Sequence, residues 1–431
     1  MHAAGTNRGK KGGLSISDFS PRFGSARLTA AATRGGLTLA VLSVLLLIDT
    51  HPAQAQTETV LYNFSGGSDG SGPIAPLTPD GRGKFFGTTT CGGADYQCYG
   101  SGTVFELSRE SNGWKETVLY TFSGGADGAS PASSVTFDSA GNLYGTAQYG
   151  GVHGGGVVFK LSPVGDSWTE TTLYSFCSQN DCADGAYPSG ELIMDPAGNL
   201  YGTTGGGVFE LSLSGDSWTE QSIYRTFNGF GYPGLTMDAA GNIFAIGLTT
   251  AVKLSPNGSG GWIPTVLHTF TPHTFCGPDI TCPPIPDGAP VLDKAGNLYG
   301  TTLEGGPIGC GKVYRVGLGN SGEWTENVLY AFSGTNGDGC NPFGGIVFDA
   351  DGNIYGTTDS GGAYGYGTIF ELVAPVDKRN HRYTEKILWS FDGTGGSSPN
   401  GALIWDRSGN LYSTTYYGGS SGGGVVFELT P

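Results

Sequence analysis

The residues of this chain that could do chemistry are mostly carboxylates and phenols set in glycine-rich stretches. Asp127, Asp184, Asp287 and Asp338, like Asp69, each precede a glycine. Tyr149, Tyr364, Tyr366, Tyr416 and Tyr417 lie beside runs of glycine, as do Tyr96, Tyr99 and His153. Phenol rings stack on the apolar faces of sugars, and carboxylates accept hydrogen bonds from hydroxyls. Together these residues point to binding of a neutral or cationic ligand, a carbohydrate or an envelope protein. Taken singly, each Asp-Gly pair also reads as a turn.

Turnover would need positioned acids, bases or metal ligands. The sequence has no Gly-x-Ser-x-Gly, His-Glu-x-x-His or phosphate-loop pattern and no histidine cluster. His153, Glu191, His273 and Glu304 break the pattern of their surroundings, but they form no recognisable constellation. No catalytic residue, metal or cofactor is therefore expected. The alternative is a lactonase-like or polysaccharide-cleaving hydrolase using acidic residues near an axial channel. Asp349-Ala-Asp-Gly-Asn353 has the outline of half a calcium loop. Its sister copies lack the second Asp, which assigns it to a turn.

What must position these residues is a repeat. The phrase Asp138-Ser-Ala-Gly-Asn-Leu-Tyr-Gly-Thr146 returns from Asp195, Asp238, Asp293, Asp349 and Asp406, with a degenerate first copy from Asp80. The spacing is about 50 residues, in the range of propeller repeats. Each unit carries four short segments rich in Val, Leu, Thr, Tyr and Phe, bounded by Gly, Asp, Asn, Ser and Pro. The expected fold is all-β: a seven-bladed propeller of four-stranded antiparallel blades. Asp-x-x-Gly-Asn is the turn between the innermost and second strands. Val-Phe-Glu-Leu is the third strand, and the Trp-Thr-Glu-x-x-Leu-Tyr-x-Phe phrase is the outermost.

The phase of the repeat predicts how the ring closes. Glu58–Phe64 is an outer-strand phrase without a blade, and Val425–Leu429 is a third-strand phrase without an outer strand. The two ends complete one blade and leave no free sheet edge. Recurring residues such as Trp114, and the Tyr of Gly-Asn-Leu-Tyr, are expected to pack between blades. One face of the ring receives short uniform turns. The other receives the second-to-third loops and the blade crossings, where function concentrates. Truncated loops at Gly205–Gly207 and Leu248–Thr250 should make that face lopsided.

All eight cysteines fall on the long-loop face. Proximity in sequence or between neighbouring loops suggests four disulfides: Cys91–Cys98, Cys177–Cys182, Cys276–Cys282 and Cys310–Cys340. No pair has the two-residue spacing of a zinc site.

Phrases such as Gly198-Asn-Leu-Tyr-Gly-Thr-Thr204 and Gly102-Thr-Val-Phe-Glu-Leu107 resemble the GloVer-type tandem repeat of exported bacterial proteins. The resemblance covers about residues 57–431 and implies export, but no catalytic motif and no established activity. Unit four, Trp218 to Gly261, departs most. The turn and second strand also resemble NHL and gluconolactonase-like propellers.

The ends and the charge fit export. Arg34, the apolar run Leu37–Ile48 and Pro52-Ala-Gln-Ala55 read as a signal peptide over 1–55, leaving a propeller domain over 56–431. After cleavage no membrane span is expected. Six of the 21 basic and two of the 37 acidic residues leave with that segment, so the remainder carries a formal charge of −20. This balance argues against nucleic acid and anionic membrane surfaces. The protein is expected to act as a periplasmic or extracellular monomer.

Overall fold

The computed structural model describes residues 56–93, 101–215, 217–225, 234–270, 285–306, 308–319, 321–376 and 382–430, apart from the Asp287 side chain. The expected signal segment lies outside these residues. Residues 57–430 form seven four-stranded antiparallel sheets. In the second blade the strands are Thr136–Phe137, Leu143–Ala147, Val157–Val164 and Ser167–Ser175, from inside outwards. Inner strands are shorter than the sequence phrases suggest in four blades, with only two paired residues each. Those of the fifth and sixth blades run longer, with register shifts at Asp287/Val291 and Phe343/Ile346.

The ring closes as the repeat phase predicts. Thr57–Asn63 pairs antiparallel with Val425–Thr430, and becomes the outer strand of the blade whose other strands come from the C-terminal end. Phe64 continues the pairing by donating its N–H to the Gly424 carbonyl at 3.0 Å.

The recurring turn is built around one carboxylate. Asp138 Oδ1 accepts the N–H groups of Ala140 and Asn142, both at 2.9 Å. Its Oδ2 accepts Asn142 Nδ2 at 2.7 Å and the Tyr144 hydroxyl at 3.0 Å. Gly141 takes φ +85°, a left-handed conformation that side chains rarely adopt. Asp349 makes the same set with Asp351, Asn353 and Tyr355, so its carboxylate is consumed by the turn.

A second recurring glycine has a steric reason. Gly87 sits opposite Phe105 in the sheet, and a Cβ there would come within 2.5 Å of the Phe105 ring. Gly145, Gly202 and Gly356 face Phe159, Phe209 and Phe370 in the same way. In the fourth blade Ala245 takes the glycine's place, and its partner has shrunk to Val252. Two distant phrases of these repeats are thus coupled by one close contact, while in the seventh blade Ser413 stands opposite Phe427.

The core consists of seven apolar clusters, one per blade interface. The large aromatic of the outer strand reaches back to the preceding blade. Trp262 lies edge-on to Tyr201, with centroids 5.7 Å apart, and donates Nε1–H to Glu210 at 3.1 Å. Trp114, Trp168, Trp218 and Trp324 pack against four of the other clusters, and Tyr383 against a fifth.

Two of the expected disulfides are formed, Cys177–Cys182 and Cys310–Cys340, with Cα separations of 4.0 and 4.5 Å. The Cys91–Cys98 and Cys276–Cys282 pairs involve Cys98, Cys276 and Cys282, which lie outside the described residues. Cys310–Cys340 ties a second-to-third loop to the next crossing and closes a span of 30 residues. Chain-entropy reasoning gives such a closure about 3.6 kcal/mol. Replacing both cysteines by Ser should lower denaturant stability by about that amount while leaving far-ultraviolet circular dichroism unchanged. The Cys177–Cys182 pair spans only 5 residues, and its removal should cost less. Equal costs would contradict the loop-closure account.

Candidate functional site

The long-loop face is unevenly furnished, as expected. The hairpins of the third and fourth blades are tight: Thr204 pairs with Gly207, and Gly247 donates to the Thr250 carbonyl at 2.8 Å. The second, sixth and seventh blades carry long loops holding Tyr149, Tyr364, Tyr366, Tyr416 and Tyr417. Four of these rings are open to solvent: Tyr149 is 47 %, Tyr364 64 %, Tyr366 48 % and Tyr417 57 % exposed. Large rings left in water on an otherwise packed protein are candidates for contact.

The rings fall into two groups. Tyr149 and Tyr187 meet edge-on at 5.7 Å between the second and third blades. Tyr416 and Tyr417 meet edge-on at 4.4 Å on the seventh blade. Tyr366, from the sixth blade, is tied to the second pair through the crossing. Its carbonyl accepts Ser398 N–H at 3.0 Å, and the Ser398 carbonyl accepts Tyr416 N–H at 2.9 Å. Ser397 bridges to Tyr417. The Tyr416 ring is half-buried and covers Gly72, where a Cβ would meet it at 2.9 Å. Tyr416 therefore supports the loop, while Tyr417 and Tyr366 face out.

One carboxylate belongs to this second group, and sequence reasoning missed it. Asp359 follows the Gly-Thr-Thr of the sixth blade. Burial lifts its carboxyl above the usual aspartate range, while hydrogen bonds from Ser398 and Asn400 oppose the rise. Burial, then Tyr416 and the Asp359 charge, push the Tyr417 phenol upward. The signal was available. The position after Gly-Thr-Thr or Gly-Thr-Ala holds Thr90, Gln148, Gly205 and Leu303 in sister copies, and Asp only here.

The aspartates singled out from the sequence do other work. Asp127 Oδ2 accepts the Tyr120 hydroxyl at 3.0 Å and Ser123 N–H at 2.8 Å, and its Oδ1 accepts the Ser123 hydroxyl. Asp184 is almost fully buried and accepts Tyr174 OH, Ser178 N–H and Ser178 OH, each at 2.8 Å. Asp338 accepts Ser333 N–H and hydroxyl at 2.6 and 2.5 Å. The Asp287 side chain lies outside the described residues. These carboxylates fasten each crossing to the outer strand before it. Desolvation acts upward on Asp127 and Asp184, but the donated hydrogen bonds outweigh it and hold both below the usual range.

The pattern-breaking residues do not converge. His153 is exposed on its loop. Glu304 contributes its carbonyl to Thr302 Oγ1 at 2.6 Å. His273 lies outside the described residues. Glu191 lines a cavity on the propeller axis, away from the tyrosine groups. Among the described residues no cluster of three or more His, Cys, Asp or Glu is arranged to hold a metal, and no helix is long and apolar enough to cross a membrane.

Comparison with known proteins gives a family and a fold. The family described as the Gloeobacter/Verrucomicrobia repeat matches residues 47–260 and 248–431. No curated protein matches the chain. Among solved structures, virginiamycin B lyase from Staphylococcus aureus superposes with a TM-score of 0.53 at 17 % identity, covering 87 % of this chain and 99 % of the lyase. A catalytically inactive variant of that lyase with quinupristin gives 0.53 at 18 % identity over the same shares. An extracellular domain assigned to a hybrid two-component system of B. thetaiotaomicron gives 0.53 at 13 % identity, covering 87 % of this chain and 42 % of that one. At these identities the likeness is one of fold.

Proposed function

The chain belongs to the Gloeobacter/Verrucomicrobia repeat family, and from that premise we propose that it is an exported, non-catalytic binding propeller whose long-loop face takes a glycan. The observation that carries this reading is the meeting of exposed Tyr366 and Tyr417 with Tyr416 and Asp359 where the sixth and seventh blades adjoin. Rings supply stacking surfaces, and the carboxylate with its Ser398 and Asn400 neighbours supplies hydrogen-bonding groups. Tyr364 on the same loop and the Tyr149–Tyr187 pair extend the surface toward a longer chain. Asp127, Asp184 and Asp338 serve the site indirectly, by fixing the crossings that present these rings. Two disulfides on the same face fit an oxidising compartment. The family match, the acidic balance and the signal-like segment support export.

Each stacked ring contributes about 1 kcal/mol. The Tyr366→Ala/Tyr417→Ala double variant should therefore weaken glycan binding by roughly tenfold or more in calorimetric titration. Its melting temperature should stay close to that of the parent, because both rings stand in solvent. A variant that unfolds would make these rings structural. Unchanged affinity would move the site elsewhere on the face.

A further inference from the structure

The inner strands enclose an axial cavity of about 390 Å³, within the size range of small-molecule sites. The residue just before the buried apolar side chain of the inner strand lines it in six blades. Those residues are Pro76, Ser134, Glu191, Gly234, Gly345 and Ala402. Five are small or uncharged. Glu191 is the sole titratable or charged side chain among the described lining residues, and the rest of the wall is largely aliphatic. A repeat whose other five equivalent positions are uncharged places one carboxyl there. The group is half-buried and in contact with the cavity, so water reaches it. Among the described residues the Ser134 hydroxyl, from the adjacent blade, hydrogen-bonds to it.

We infer that the axial cavity is a binding site for a small organic ammonium ion, with Glu191 as its charge partner and the aliphatic wall holding its carbon body. A carboxylate among apolar groups is costly unless paired. No cation on the protein pairs with it among the described lining residues, so the charged form is left for an arriving ligand to stabilise. This site is separate from the tyrosine rim and stands whether or not a glycan binds there. Enclosure by protein raises the pKa of Glu191, with the Ser134 hydroxyl opposing the rise. In the empty cavity the group is therefore neutral over a pH range where an exposed glutamate is ionised. An arriving ammonium favours the charged form, so binding expels the carboxyl proton. Apparent affinity should rise about tenfold per pH unit while pH lies below the raised pKa, then level off above it.

The test is calorimetric titration of the purified protein with n-butylammonium, using neutral 1-butanol as the size-matched control. The expected result is binding of n-butylammonium with proton release and rising affinity with pH. 1-Butanol should bind more weakly, and Glu191→Gln should weaken n-butylammonium binding by roughly tenfold or more. The pH profile of the unmodified protein tests the same point without a variant. Equal binding of the alcohol, equal binding by Glu191→Gln, a flat pH profile, or no binding of n-butylammonium would each overturn the inference.

Discussion

A protein lacking residues 56–64 is expected to lose on the order of 5 kcal/mol or more of stability, enough to abolish folding in a typical domain. The segment supplies the outer strand of the closing blade through six paired residues. It also supplies Phe64, which is fully buried and meets Phe105 of the first blade edge-on at 5.2 Å. Val60 packs on the cluster between the sixth and seventh blades, and Leu61 and Tyr62 on the cluster between the seventh and first. A buried Phe truncated to Ala alone costs about 3–5 kcal/mol. The deletion also leaves Val425–Thr430 as an unpaired edge prone to association. By contrast, Val152→Ala, at a loop position 72 % exposed, should stay within about 0.5 kcal/mol of the parent. Denaturant melts of the two variants check this. A deleted chain that melts like the parent would show that the ring does not depend on its closing strand.

Stability should peak between about pH 4 and 5 and fall on both sides. The alkaline limb comes from the Glu of the outer-strand phrase. Burial lifts Glu58, Glu116 and Glu220 from 4.5 to about 7, with added repulsion from Asp392, Asp69 and Asp184. Glu385 rises to about 8 through burial and Asp338. Each of these glutamates keeps one buried carboxyl oxygen with no hydrogen-bond partner among the described residues. Between the unfolded and folded pKa values the native state holds more protons than the unfolded chain. Stability therefore declines as pH rises from about 4.5 through 7 to 8, then levels. The sum is on the order of several kcal/mol, reduced by screening where the groups meet solvent. The acid limb has the opposite origin. Hydrogen bonds to the turn carboxylates Asp138, Asp238, Asp293, Asp349 and Asp406 outweigh desolvation and lower their pKa values. That stability is present above about pH 4 and is lost as they protonate. Unfolding curves from pH 3 to 9 test both limbs. Glu→Gln at positions 58, 116, 220 and 385 should flatten the alkaline one. Stability that holds or rises from pH 5 to 8 would contradict the assignment.

The fold was legible because each repeat states its local rules several times. Turn chemistry at Asp138-x-x-Gly-Asn142, strand composition and the split terminal phrases all point to one closed ring, and agreement across levels specifies a structure. The site was less legible, because the same residue type serves turns and ligands. Asp127 and Asp338 look like binding carboxylates in an Asp-Gly loop, yet both oxygens of Asp127 are engaged by Ser123 and the Oδ2 of Asp338 by Ser333 of the same crossings. Only three-dimensional placement separates them from Asp359, which stands beside Tyr417. The outer-strand glutamates were hidden for another reason. Glu116 and Glu220 share the less exposed face of their outer strands with Trp114 and Trp218. There they meet Tyr62 with Asp69 and Tyr174 with Asp184 from the preceding blade and its crossing, which strand alternation alone does not reveal. Glu191 and Asp359 both depart from their repeat columns, and the two proposed sites are built on them.

The central claim is binding without turnover at the tyrosine rim. A glycan array probed with the protein, followed by mass measurement of the retained oligosaccharide, tests it most directly. The account predicts retention of a glycan class of several sugar units, loss of that retention in Tyr366→Ala/Tyr417→Ala, and recovery of the glycan at unchanged mass. Shortened products whose formation stops on replacing a single acidic residue, or retention that ignores both tyrosines, would contradict it.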